Sequence, residues 1–256
     1  MNNFKQRLAD KQPLLGTFIK TPHHHNTEVL STLGFDALCL DAEHAPFDRG
    51  DLDRCILAAK AHQQQVVVRI ANDSHDSILN RLDLGADGVV VPHVKSASQL
   101  ERVIKSCYFG HNGRGYAGST RMAGYTTRNI LQNIEHNRSN TTIIAQIEDL
   151  DALHELSDIC QVDGLDCLFI GRMDLTVALG ETDPNAPKVL ETVSRIVEIA
   201  NKHNLATGMF IANLDELDHW LKQRVSLFLL GSDHSFMLAG AKQLQAKFAQ
   251  VKQTQQ

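Results

Sequence analysis

The chain has 256 residues, is 43% hydrophobic and carries a net charge of -5. That is enough apolar material for a sizeable core, with no basic excess of the kind that advertises nucleic-acid binding. No apolar run approaches a membrane span, and the polar, amphipathic stretch 1–8 does not read as a signal peptide. Five scattered cysteines (Cys39, Cys55, Cys107, Cys160, Cys167), odd in number and without C-x-x-C spacing, read as buried thiols of a reducing, cytoplasmic compartment.

Along the chain, short apolar runs alternate with helical patterns. Residues 14–19 read as a first strand. Asn26 is placed to cap a helix through Leu30 and Leu33, which Gly34 ends. A second strand covers 37–40, a helix 51–61, and a third, evidently buried strand 66–70. A helix over 77–84 leads to a strand at 89–92, and Ser96 opens the next helix. A strand at 143–148 is followed by one helix over 150–159, then by a strand at 165–170. A long helix at 187–203, a strand at 206–210, a helix at 214–221, a strand at 227–230 and a last helix at 237–251 close the chain, with 250–256 as a fraying tail.

Eight strands, each followed by a helix, at this length predict a single (β/α)8 barrel spanning residues 1–256 as one domain. An open doubly wound sheet would carry a glycine fingerprint after its first strand, and Gly16-Thr17-Phe18 is not one. One unit breaks the rhythm: between Pro92 and Ile143 lies an added Gly-rich stretch, Tyr108 to Tyr116, which reads either as a mouth loop or as packing for a neighbouring subunit.

In such a barrel the chemistry sits where strands end at the carboxyl face. Those ends carry Asp41, Glu43 and His44 after the second strand, Arg69 on the third, Gln146 and Glu148 on the fifth, and Asp174 beyond the sixth. A period of two puts Gln146 and Glu148 on one face and Ile147 on the other. For each residue alone a cap or a loop ion pair explains the polarity, but seven polar groups on one rim point to a site. Glu148 and Asp174, with no cysteine or tight histidine cluster, suit a hard divalent ion that keeps open positions for a 2-oxo acid. Arg69 would help stabilise an enolate oxygen, His44, oriented by Asp41, would move a proton near neutral pH, and Glu43 would brace the loop.

Taken together, Gly34-Phe35-Asp36, Asp41-Ala42-Glu43-His44-Ala45-Pro46, Val68-Arg69, Leu84-Gly85-Ala86, Gly113-Arg114-Gly115, Gln146-Ile147-Glu148, Ile170-Gly171 with Asp174-Leu175, and Gly231-Ser232-Asp233 make the chain resemble the HpcH/HpaI family of metal-dependent (class II) pyruvate aldolases. The resemblance covers nearly the whole chain. It implies a carbon-carbon lyase that splits a 4-hydroxy-2-oxo acid into pyruvate and an aldehyde. It further implies Mg2+ or Mn2+ (Co2+ as a substitute) on Glu148 and Asp174, and no organic cofactor. Arg69 and Gln146 would contact the pyruvate moiety, His44 with Asp41 would serve the hydroxyl, and the amides at Met173 and Asp174 would receive the carboxylate. It also implies a homohexamer, a trimer of dimers, with an N-terminal helix and a C-terminal helix exchanged between subunits, and no nucleic-acid or membrane partner.

The chain departs from the family pattern at Arg172-Met173, where Pro-Ala is usual, at Tyr108-Phe109-Gly110, and at His23-His24-His25. Arg172 is a candidate carboxylate contact for the substrate, and the three histidines read as a solvated loop or an adventitious metal site. Other enzyme chemistries remain: Schiff-base aldol cleavage on Lys20 or Lys95, decarboxylation, and CoA-ester lysis through the same enolate. The remaining alternative is a non-catalytic 2-oxo-acid-binding barrel.

Overall fold

A computed structural model describes residues 3–254. Eight parallel strands, β1 (Leu14–Ile19), β2 (Ala37–Asp41), β3 (Val66–Arg69), β4 (Gly88–Val91), β5 (Thr142–Ile147), β6 (Cys167–Ile170), β7 (Ala206–Ile211) and β8 (Leu227–Ser232), close into a barrel in sequence order. β1 pairs with both β2 and β8 to complete the ring. Parallel neighbours need a crossover, and helices supply it: α1 (Phe4–Ala9) precedes the barrel, then α2 (His24–Ser31), α3 (Arg49–Ala61), α4 (His75–Asp83), α5 (Ala97–Cys107), α6 (Ile130–Asn140), α7 (Leu150–His154), α8 (Leu156–Cys160), α9 (Arg172–Ala178), α10 (Pro187–Lys202), α11 (Leu217–Lys222) and α12 (Asp233–Gln253). None of the described helices is long and apolar enough to cross a membrane. All five cysteines are free and buried.

Side-chain alternation sorts the core into two layers. Outward strand residues such as Leu38, Leu40, Val66, Val68, Val89, Val91, Ile143 and Ile147 pack against the helix ring. Their inward neighbours (Ala37, Cys39, Val67, Val90, Ile144, Cys167, Phe169) fill the barrel interior together with Phe4 and Leu8 of α1. The helix α1 is therefore a plug for the amino-terminal end of the barrel. Lys5 pins it there, donating to Asp166 Oδ2 at 2.8 Å, the Thr141 carbonyl at 2.8 Å and the Tyr108 hydroxyl at 3.0 Å.

Several local expectations change. The cap of α2 is His23, whose Nδ1 accepts from the His25 amide at 3.3 Å, because the Asn26 side chain is drawn instead to Asp233. The helix expected over 150–159 breaks at Glu155, whose carboxylate accepts the Ala97 amide at 3.1 Å. The helices α6 and α9 go beyond the sequence expectations. α6 buries Asn133 and Asn137 and no apolar side chain, so it offers no hydrophobic period, although Asn129 and Gln132 form a capping box. The tail expected to fray from residue 250 is helical to Gln253, and residues 255 and 256 lie outside the described part.

The Gly-rich insertion is no lid. It follows α5, and in this topology a segment between a helix and the next strand lies at the amino-terminal face, away from the mouth. The buried Arg114 guanidinium pairs with Asp83 near the end of α4 and stacks on Phe109, 4.7 Å from the ring centroid. Arg121 reaches Asp53 at 2.7 Å and the Leu84 carbonyl at 2.5 Å.

Leu8 is fully buried in the plug. Leu8→Ala is expected to destabilise the protein by about 2–5 kcal/mol through the cavity it leaves, measured by urea unfolding.

Candidate active site

The alternation that fills the barrel with apolar side chains also builds the site. The inward column of β2 runs Ala37, Cys39, Asp41; that of β3 runs Val67, Arg69; that of β5 and the loop after it runs Ile144, Gln146, Glu148. Each column is apolar at its foot and polar at its carboxyl end. Between the two zones lies an aromatic floor. Phe18 meets Phe169 edge-on at 6.4 Å and Phe210 at 6.3 Å, and the Arg69 guanidinium lies 4.8 Å from the Phe18 ring centroid. Above the floor opens a cavity of about 840 Å³ whose lining includes Lys20, His44, Arg69, Gln146, Met173 and Asp174.

Asp41 and Arg69 form its base. Asp41 is fully buried and accepts from Arg69 Nε at 3.0 Å and Nη2 at 2.8 Å. Lys20 Nζ stands 3.3 Å from the same carboxylate, and the His44 backbone amide donates to it at 3.1 Å. Burial alone would push the Asp41 carboxyl up. The hydrogen bonds and charge of Arg69, the His44 amide and Lys20 outweigh it and hold the group below its ordinary range. Asp41 thus anchors the backbone of His44, while the ring of His44 faces Glu43, Nε2 to Oε2 at 3.6 Å. Glu43 also lies 3.3 Å from Arg69 Nε. Burial raises the Glu43 carboxyl; Arg69 and His44 pull against that rise, and the charge of Glu148 adds to it.

Glu148 is 3% exposed. One oxygen accepts the His93 amide at 2.8 Å, and the other accepts from Gln146 Nε2. The close approach of Gly171 makes room: a Cβ there would stand 2.5 Å from Glu148 Oε2. Gln146 Oε1 and Glu43 Oε2 are buried without hydrogen-bond partners. Two clustered carboxylates, an orphaned amide oxygen and a short imidazole approach are oxygen-rich ligation chemistry, and this donor set fits a divalent cation. Among the described residues, the ligand atoms of Glu43, His93 and Glu148 lie within 4.8 Å of one another, as do those of His23, His24 and His25. Asp174 lies outside both groups, exposed in the first turn of α9, and with Met173 lines the cavity above the aromatic floor.

Two residues of the site, His93 and Glu216, are not singled out by the sequence reading. A polar residue directly after the strand-ending Pro92 is the available signal for His93. For Glu216 no signal stands out, yet it receives both terminal nitrogens of Arg172 at 2.5 and 2.8 Å and the Trp220 indole N–H at 2.8 Å. Burial works against the Glu216 charge, but Arg172 and Trp220 prevail and lower its pKa. Arg172 is therefore already neutralised where it meets the cavity. His23, His24 and His25 crowd together, ring centroids 4.3–4.8 Å apart, in the loop and first turn after β1. That loop is tied down by the buried Asp233, which accepts the Lys20 and Thr21 amides at 2.9 and 3.0 Å. Lys95 lies off the cavity, 3.4 Å from Asp149.

Removing one member of a buried ion pair leaves the other charge uncompensated. Asp41→Asn is expected to cost about 3–5 kcal/mol in urea unfolding. Adding Arg69→Gln should recover part of that loss, the non-additivity expected of contacting residues.

The sequence profile described as HpcH/HpaI aldolase/citrate lyase matches residues 14–239. A hydroxypyruvate/pyruvate aldolase from Paraburkholderia phytofirmans is 30% identical over 94% of this chain and 95% of its own length. A 5-keto-4-deoxy-D-glucarate aldolase from Shigella boydii is 28% identical over 96% of each. Among solved structures, an HpcH/HpaI aldolase/citrate lyase family protein from Burkholderia cenocepacia superposes with a TM-score of 0.91 at 27% identity, covering 97% of this chain and 100% of that one. The chain belongs to the HpcH/HpaI aldolase/citrate lyase family.

Proposed function

We propose that the chain is a class II pyruvate-dependent aldolase that cleaves a 4-hydroxy-2-oxo acid into pyruvate and an aldehyde. The observation that supports this best is the meeting of a nearly buried carboxylate (Glu148), a buried guanidinium (Arg69) and a half-exposed imidazole (His44) at the carboxyl end of one barrel. The names of the relatives point the same way.

Glu148 and Asp174 would hold Mg2+ or Mn2+, which when bound polarises the keto oxygen of the substrate. The protein does the rest. Arg69, locked by Asp41, sets fixed positive charge beside the oxygen on which charge develops. Gln146 and the amides at Met173 and Asp174 bind the pyruvate moiety and its carboxylate. His44 removes the proton from the 4-hydroxyl, so its oxygen becomes the aldehyde carbonyl. The C3–C4 bond breaks, its electron pair passes to C3 and the keto oxygen, and pyruvate enolate results. A proton delivered to C3 releases pyruvate.

On the cavity wall Arg172 is paired with Glu216, while Lys20 shares the Asp41 carboxylate with Arg69. With Arg172 so paired, short uncharged or hydroxylated aldehydes suit the site better than carboxylated semialdehydes. Five buried free thiols suit the cytoplasm. The helix α12 leaves Leu238, Leu244, Phe248 and Val251 at 51–72% exposure, an apolar face suited to the exchange between subunits of a hexamer.

Pyruvate release, coupled to lactate dehydrogenase across a panel of 4-hydroxy-2-oxo acids, tests the activity. EDTA should abolish it and Mg2+ or Mn2+ restore it, while His44→Asn should lower kcat by ~10²–10⁴-fold. Full turnover in EDTA, or trapping of pyruvate on a lysine by borohydride, would remove the assignment. In sedimentation velocity, Leu244→Asp with Phe248→Asp should shift the assembly to smaller species; an unchanged profile counts against exchange of α12.

A further inference from the structure

His93 follows Pro92 at the end of β4 in a left-handed backbone conformation, φ +53°, which is uncommon outside glycine. Two contacts hold it there. Its amide donates to Glu148 at 2.8 Å, and its ring Nδ1 lies 3.0 Å from Asp149 Oδ2. Asp149 is braced in turn by Lys95 Nζ at 3.4 Å. An imidazole that gives one N–H to a carboxylate presents the lone pair of its other nitrogen, and this relay is how histidines are held as metal ligands. In His93 that other nitrogen, Nε2, lies 3.6 Å from Glu43 Oε1, with Glu148 Oε1 3.3 Å from Nδ1 of the same ring. The Glu43 side chain is 10% exposed, with its Oε2 turned to Arg69 Nε at 3.3 Å and its Oε1 left to face His93. Donors around a bound zinc-sized ion stand roughly 3–3.5 Å apart, so small side-chain movements would close this group on an ion.

We propose that Glu43, His93 and Glu148 form a second cation site, distinct from the Glu148–Asp174 pair, which takes a late first-row divalent ion such as Zn2+ or Co2+ in preference to Mg2+. One imidazole nitrogen with two carboxylates suits such ions, whereas Mg2+ demands oxygen donors and keeps its waters. The proposal rests on the aldolase reading in one respect: both positions draw on Glu148. An ion in one weakens binding in the other, and the coupling is reciprocal. Zn2+ then displaces the Mg2+ or Mn2+ that the lyase reaction requires, and the enzyme becomes sensitive to transition-metal supply.

The test uses full-length protein with His23→Ala, His24→Ala and His25→Ala, since those three rings form the other histidine group able to take the same ions. Zn2+ and Mg2+ are titrated separately by calorimetry, and Cu2+-loaded protein is examined by electron spin-echo spectroscopy for imidazole-nitrogen modulation. In this background His93→Asn, which tolerates the left-handed backbone, should weaken Zn2+ by about tenfold or more and remove the nitrogen modulation, with Mg2+ affinity little changed. Asp149→Asn should weaken Zn2+ more mildly and leave the modulation in place. Absence of nitrogen modulation before the His93 substitution, or Zn2+ and Mg2+ affinities falling together after it, would overturn the proposal. If Zn2+ binding follows the expected pattern while no metal supports pyruvate release, the aldolase reading fails and the second site stands. A Mg2+-dependent lyase without a His93-dependent Zn2+ site would instead remove the second site and leave the aldolase reading intact.

Discussion

The structure turns on the burial of charge at one end of an apolar barrel. Asp41 and Arg69 are taken almost wholly out of water, and they are tolerable there because each satisfies the other through two hydrogen bonds, with the His44 amide and Lys20 also beside Asp41. That pair fixes the guanidinium over the Phe18 ring, tethers the backbone of His44 and leaves Arg69 close to Glu43. A buried pair of this kind contributes little net stability against an apolar alternative. Its value lies in preorganisation, since fixed charges cost no reorientation when charge develops in a reaction.

The rest of the fold can be read as support for that arrangement. The α1 plug and the inward apolar residues seal the lower barrel, and the Phe18, Phe169 and Phe210 floor separates that dry interior from the polar rim. Glu148 sits where it does because Gly171 lacks a Cβ, His93 offers an amide and Gln146 an amide nitrogen. Asp233, a residue of the last helix, holds the loop carrying Lys20 across the closure between β1 and β8. On the far wall of the cavity, Glu216 cancels the charge of Arg172.

Much of this is legible in the letters. Strands and their order follow from short apolar runs with turn signals between them, and a period of two predicts that Gln146 and Glu148 share an inward face while Ile147 packs outward. The misses have physical causes. The helix α6 buries asparagines in place of an apolar stripe, so periodicity cannot reveal it. The Gly-rich insertion draws attention by composition, yet its place between a helix and the next strand already assigns it to the amino-terminal face. The partnerships of the charged residues are the hardest to foresee. Sequence puts Asp41 three residues from His44 and suggests that one orients the other; Asp41 does hold the His44 backbone amide, but Arg69, far along the chain, also takes both carboxylate oxygens, and the His44 ring faces Glu43. His93 escapes notice because its role depends on a left-handed backbone and on three acids from two other segments.

In the aldolase proposed here, a cation held by Glu148 and Asp174 makes the site competent for a 2-oxo acid. Calorimetric binding of pyruvate to the dialysed protein, with and without Mn2+, examines this without recourse to turnover. Pyruvate is expected to bind the Mn2+-loaded protein, not to bind the metal-free protein, and to bind neither form of Glu148→Gln. Equal pyruvate affinity in the presence and absence of Mn2+ would contradict a metal-held substrate.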